Sequence, residues 1–144
     1  MQVICVTASK YISPIATNQS YMEFVPAVLV TAGIAVLSLI EQEHAPRVGA
    51  NDKLAHAVSY GFLGFCWMIP FKARITQTKS LILQSLCVVL ACTAYGLLIE
   101  ALQRFCTLTR SGEMADLMAD FIGAVAGVLV WMLYWFISKS KSHV

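Results

Sequence analysis

The stretch RSGEMADLMADFIGAVAGVLV, Arg110 to Val130, decides the fold. It passes from charged and polar residues into an apolar run that opens at Phe121. If the chain is helical from about Met114, Asp116 and Asp120 lie four apart and share one face. They then sit about one turn above the level where water gives way to hydrocarbon. Gly123 and Gly127 follow on a neighbouring line. The stretch therefore predicts a membrane helix that enters the bilayer beneath two carboxylates.

Composition extends that reading to the whole chain. Of the 144 residues, 58% are hydrophobic and only 12% charged, against about 25% charged in a soluble domain. Mean hydropathy is +0.72, which excludes an ordinary soluble fold. The formal net charge of +2 is small and its basic residues are scattered, so no nucleic-acid footprint is present. The five cysteines show no CxxC and no Cys/His spacing of a zinc site, and three lie inside apolar runs. They read as small packing residues, except Cys106, which lies in a connection towards a potentially oxidising side without an evident partner, and neither a metal nor a cofactor is expected.

Outward from the deciding stretch, three more apolar runs emerge. Phe24 to Ile40 carries no charge, starts with Pro26 and stops at Glu41-Gln42-Glu43-His44. Leu54 to Phe71 is uncharged apart from His56, with Asn51 or Asp52 as the expected N-cap. Ser80 to Ile99 is free of charge and leads into Glu100, Gln103 and Arg104. The fourth run, Phe121 to Ser138, leaves through Lys139 and Lys141, and Trp131, Tyr134 and Trp135 near that exit suggest an interfacial aromatic belt. The expectation is an all-α integral membrane protein with four transmembrane helices in a compact antiparallel bundle. Residues 1–21 form an N-terminal tail with no convincing signal peptide, 22–138 the bundle and 139–144 a basic C-terminal tail.

Basic residues orient the bundle. The tail, the middle loop and the C-terminus carry Lys10, Lys72, Arg74, Lys79, Lys139 and Lys141, whereas the other two loops carry Arg47, Lys53, Arg104 and Arg110 among several acids. The positive-inside rule then predicts a cell-membrane protein with both termini cytoplasmic. Up-down connectivity brings the end of the first helix, the start of the second, the end of the third and the start of the fourth to the opposite, outer surface. Asp52, Lys53, His56, Tyr60, Glu100, Gln103, Arg110, Asp116 and Asp120 gather there. Glu41, Glu43, Arg47 and Glu113 read as ordinary loop charges. Ionisable groups within a span are costly unless paired or hydrated, so His56, Tyr60, Glu100, Asp116 and Asp120 are the candidates for function. His56 and Asp116 are expected in one polar cluster, with Asp120 just below on the membrane side.

Small residues predict the packing. Gly123 and Gly127 form a GxxxG, and Gly61 and Gly64 lie on the second helix. Such positions let backbones come close. Packing of these two helices within the monomer is favoured over a homodimer seam.

Three motifs then bring a family into view. Asp52-Lys53-Leu54-Ala55-His56 with Tyr60, Glu100-Ala101-Leu102-Gln103-Arg104-Phe105, and Arg110 with Asp116, Asp120 and Gly123 stand in this order. Over residues from about 30 to 135 the chain resembles the VanZ-like membrane proteins. It departs from their pattern at Asp120, where the family usually carries Asn. The resemblance implies a small helical protein of the cell envelope. The founding member is associated with reduced susceptibility to the glycopeptide teicoplanin, and carrying that property over is analogy alone.

Two functional classes fit these residues. In one, Lys53 and Arg110 hold a phosphate or carboxylate of an envelope lipid, a cell-wall precursor or a glycopeptide-related ligand, while Asp116, Asp120 and Glu100 fix these cations and His56. In the other, His56 is a general acid or base oriented by Asp116 or Glu100, acting in hydrolysis or group transfer on a lipid-linked substrate. A small transporter is a third option. The binding reading is preferred, with membrane lipids as the expected partners.

Overall fold

Each apolar run folds as a helix in the computed structural model of the chain, which describes residues 21–39, 49–75, 77–106 and 114–141. Helix α1 is Val25–Leu39, α2 is Gly49–Met68, α3 is Thr78–Cys106 and α4 is Met114–Lys141. A 3-10 segment, Ile69–Arg74, extends α2. No strand occurs among the described residues. The chain is a helical membrane protein: α2 with its extension, α3 and α4 are long and apolar enough to cross a bilayer.

Helix α1 is shorter. Its 15 residues span about 22 Å at 1.5 Å per residue, less than a ~30 Å hydrocarbon core. A turn precedes it, with the Phe24 N–H donating to the Tyr21 carbonyl at 3.1 Å. Helix α2 begins before the expected cap, which puts Asp52 in its first turn. That position still favours a carboxylate, because the exposed N–H groups carry partial positive charge. Pro70 lies at the start of the 3-10 segment. Its ring removes a helix N–H, and the chain tightens there. Helix α4 runs on to Lys141, past the expected end at Ser138.

The most extensive helix contact is between α2 and α4, and small residues explain it. A Cβ built on Gly123 would overlap the Ala57 carbonyl, and one on Gly127 would overlap the Gly61 carbonyl. In the other direction, a Cβ on Gly64 would lie 2.9 Å from the Ala124 carbonyl oxygen. Only glycine fits at such separations, so the backbones touch. The small residues of the fourth span thus meet those of the second inside one chain.

Along the same face of α4, Asp120, Ala124, Val128, Trp131 and Trp135 are buried. They recur every three or four residues, the spacing of one helix face. Trp131 and Trp135 therefore belong to the core, which corrects the aromatic-belt expectation: that face is turned to the bundle at the depth where a belt would need it turned to lipid. Tyr134 alone of the three is exposed, and Lys72 Nζ lies 5.7 Å from its ring. Phe121, Ile122, Leu129, Val130, Leu133 and Ile137 are exposed on the opposite side, as suits a surface facing hydrocarbon.

Helix α1 is held by polar contacts on Thr31. Trp67 Nε1 donates to Thr31 Oγ1 at 3.1 Å, and the Tyr95 hydroxyl donates to the Thr31 carbonyl at 2.6 Å. At the far end of α1, Gln103 Nε2 donates to the Ser38 carbonyl at 3.1 Å. At the near end, the Phe24 and Trp67 rings meet edge-on, with centroids 6.4 Å apart. These contacts place the start of α1 beside the end of α2, and the end of α1 beside the end of α3. The order is up-down.

Candidate functional site

Two helix starts, α2 and α4, carry the charged cluster. On α2, Asp52 and His56 lie one turn apart on one face, and on α4 Asp116 and Asp120 do the same. The tight glycine crossing just below brings these faces together. His56 Nδ1 lies 2.9 Å from Asp120 Oδ1, with side chains 17% and 6% exposed. One turn further out, Lys53 Nζ lies 3.5 Å from Asp116 Oδ1, an ion pair in a wetter setting. Ligating atoms of Asp52, His56 and Asp116 all fall within 4.8 Å of one another. The result is a ladder of pairs descending from water towards hydrocarbon.

Asp120 stands at the foot of this ladder, buried at 4% exposure. Its carboxylate rests on Gly96 of α3, where an added Cβ would come within 2.8 Å of Asp120 Oδ2 and 3.4 Å of the Tyr60 ring. Gly96 is thus the space into which the carboxylate fits. Nothing in the three motifs points to it. A glycine inside an otherwise apolar span is the signal that marks such a close approach. Tyr60 is buried beside it, its ring centroid 6.2 Å from that of Tyr95, and its hydroxyl makes no hydrogen bond.

The remaining candidates divide. Glu100 accepts from Arg104 at 3.2 Å, one turn along its own helix, so it is engaged locally. Gln103 is buried and ties α3 to α1. The partner that orients His56 is Asp120, which corrects the assignment of that role to Asp116 or Glu100. The reason is depth: both aspartates share a face, and the crossing sets His56 level with the lower one. Arg110 lies outside the described residues. Cys66 and Cys92 are buried and Cys87 is exposed, all three with free thiols.

The spacing of the paired residues is that of the three motifs: the Asp-Lys-x-x-His motif meets the Asp-x-x-x-Asp motif, and the Glu-x-x-Gln motif closes on α1. The VanZ/LLP1 family model matches residues 2–136. The chain belongs to the VanZ/LLP1 family. The match covers α1 to α3 and α4 as far as residue 136, and extends well before the 30–135 stretch of the motifs. No curated protein and no solved structure matches the chain. For this VanZ/LLP1 protein the site's chemistry therefore rests on its own geometry: one half-exposed ammonium, one imidazole and three carboxylates at the mouth of a helix crossing.

That arrangement has defined capabilities. Each carboxylate of α4 faces a basic group of α2, so the acids position Lys53 and His56. Burial of such groups inside a span is costly unless they are paired, and here they are. With Nδ1 on Asp120, the second ring nitrogen of His56 remains for a further donor, acceptor or metal.

Proposed function

We propose that this VanZ/LLP1 protein binds the anionic group of a membrane-borne ligand at the charged end of its bundle. The ligand class is an envelope lipid or a lipid-linked cell-wall precursor, and a glycopeptide-related ligand falls within the same chemistry. The observation that supports this reading is the pairing of Lys53 with Asp116 and His56 with Asp120. Acids that hold basic groups in place make a preformed site rather than a set of loose loop charges. Lys53 keeps 46% of its side chain exposed while so held. Arg110 completes the reading from the preceding segment, because its planar fork suits phosphate or carboxylate. The basic residues of the middle loop and C-terminus favour an orientation with both termini cytoplasmic and this cluster at the outer face of the cell membrane.

The His56–Asp120 contact favours one second reading. A carboxylate-oriented imidazole is the arrangement of a general acid or base, and a lipid-linked substrate at Lys53 would bring a reacting group near it. The two readings separate on variants. Native mass spectrometry of the detergent-purified chain, with anionic lipid added, should show graded loss of bound lipid in Lys53→Ala and Arg110→Ala. Under the catalytic reading, His56→Ala abolishes turnover yet retains lipid. Unchanged lipid retention in both cation variants would refute the binding reading.

A further inference from the structure

We infer that Asp52, His56 and Asp116 form a site for a divalent cation of the zinc class, through which the anionic ligand of the proposed binding site is held. The inference concerns that same cluster and rests on that reading for its ligand, but not for the metal itself. Asp52 and His56 present ligands from one turn of α2, and Asp116 faces them from α4, with all three ligating atoms within 4.8 Å. Around zinc with bonds of about 2.1 Å, neighbouring tetrahedral ligands lie roughly 3.4 Å apart. Asp52 is exposed, so a rotamer change at its carboxylate can close much of that difference.

Two observations go beyond proximity. The first is the His56 ring: Nδ1 is engaged by the buried carboxylate of Asp120 at 2.9 Å. A metal-ligating histidine characteristically has its other nitrogen held by a carboxylate, which fixes the ring and raises its basicity. Asp120 occupies that supporting role, and Gly96 provides the room for it. The second is Asp116 Oδ1, a buried oxygen that makes no hydrogen bond, although Lys53 Nζ lies 3.5 Å away. A carboxylate oxygen in that state has a lone pair available to a cation.

The donor set also decides the kind of ion. Two carboxylates and one imidazole suit zinc or a similar borderline cation, whereas calcium and magnesium prefer sites built from oxygen. Three protein ligands leave a fourth position open. A phosphate or carboxylate oxygen of the membrane ligand would fill it, with Lys53 beside it.

The test titrates Zn²⁺ alone into the full-length chain, purified in detergent and stripped with chelator. The background carries His44→Ala and His143→Ala, which removes the other two histidines. Calorimetry should show one ion per chain, with affinity reduced about tenfold or more in His56→Ala and in Asp52→Asn. Asp52→Asn changes an exposed residue and keeps the test valid if His56→Ala fails to fold. No uptake by the folded chain, or equal affinity in Asp52→Asn, would overturn the inference. Anionic-lipid retention is measured in parallel, with and without chelator. If lipid stays bound in chelator while no zinc binds, the metal inference fails and the binding reading stands. If zinc binds but Lys53→Ala and Arg110→Ala retain lipid unchanged, the binding reading fails and the metal site stands.

Discussion

His56 Nδ1 and Asp120 Oδ1 lie 2.9 Å apart although 64 residues separate them in the chain. The contact joins the starts of α2 and α4 at the level where the apolar part of the bundle begins. It couples the charged end of the protein to the glycine crossing directly beneath.

That coupling is measurable in a double-mutant cycle on His56→Ala and Asp120→Ala, followed by unfolding in detergent. Interhelical hydrogen bonds in membrane proteins average about 0.6 kcal/mol in such cycles. Burial of Asp120, partial burial of His56 and the fit of Asp120 against Gly96 predict a coupling above that average, about 1–2 kcal/mol. Asp120→Asn keeps an acceptor for His56 and should cost less than Asp120→Ala. Additive single effects would show that the pair contributes nothing of its own.

The glycine crossing predicts opposite outcomes at two glycines. Gly127→Leu drives a side chain into the Gly61 carbonyl and should destabilise the monomer by about 1–3 kcal/mol or more, the cost of overpacking. Gly33→Ala meets nothing within 4 Å and should be neutral or stabilising by up to about 1 kcal/mol from helix propensity. Tryptophan-fluorescence melts with size-exclusion chromatography read both. A well-folded Gly127→Leu protein with an altered oligomeric state would point to a dimer seam instead.

Helix α1 depends on few polar contacts, so it is sensitive to them. Tyr95→Phe removes the hydroxyl that donates to the Thr31 carbonyl at 2.6 Å. The expected loss is about 1 kcal/mol, concentrated in α1. Hydrogen exchange should speed up around Thr31 and leave the α2–α4 crossing unchanged. Uniform acceleration across all four helices would contradict this local attachment.

Orientation is tested by placing a cysteine at Gly112 in a background without the five native cysteines. Six basic residues on one side against four on the other predict labelling from outside the cell. Labelling only from the cytoplasmic side would invert the bundle and move the cluster to the inner face.

How much of this was legible in the sequence varies by residue. Order along each helix was: Lys53 precedes His56 and Asp116 precedes Asp120, and their pairs stack in that order, while glycines at four-residue spacing expose a close-packing face. Rotation and axial offset between helices were not. Asp116 and Asp120 differ by about 6 Å along the axis, and only the crossing at Gly123 and Gly127 selects the lower one for His56. Glu100 shows the same limit, since its local Arg104 partner and a distant one are equally compatible with its position in the chain. The burial of Trp131 and Trp135 is not legible in the sequence, because proximity to a basic exit says nothing about which way a helix face turns. Gly96 marks a close approach in the sequence without naming its partner, which only the structure supplies in the carboxylate of Asp120.

The central claim is that Lys53 and His56, held by Asp116 and Asp120, form a binding site for an anionic membrane ligand. An experimental structure of the protein in nanodiscs containing anionic lipid tests it most directly. Non-protein density is expected at the charged end of the bundle within about 3.5 Å of Lys53 Nζ, an outer limit for direct polar contact, and is expected to be lost in Lys53→Ala. A well-ordered cluster with Lys53 and His56 contacting only protein and water in the presence of lipid would contradict it.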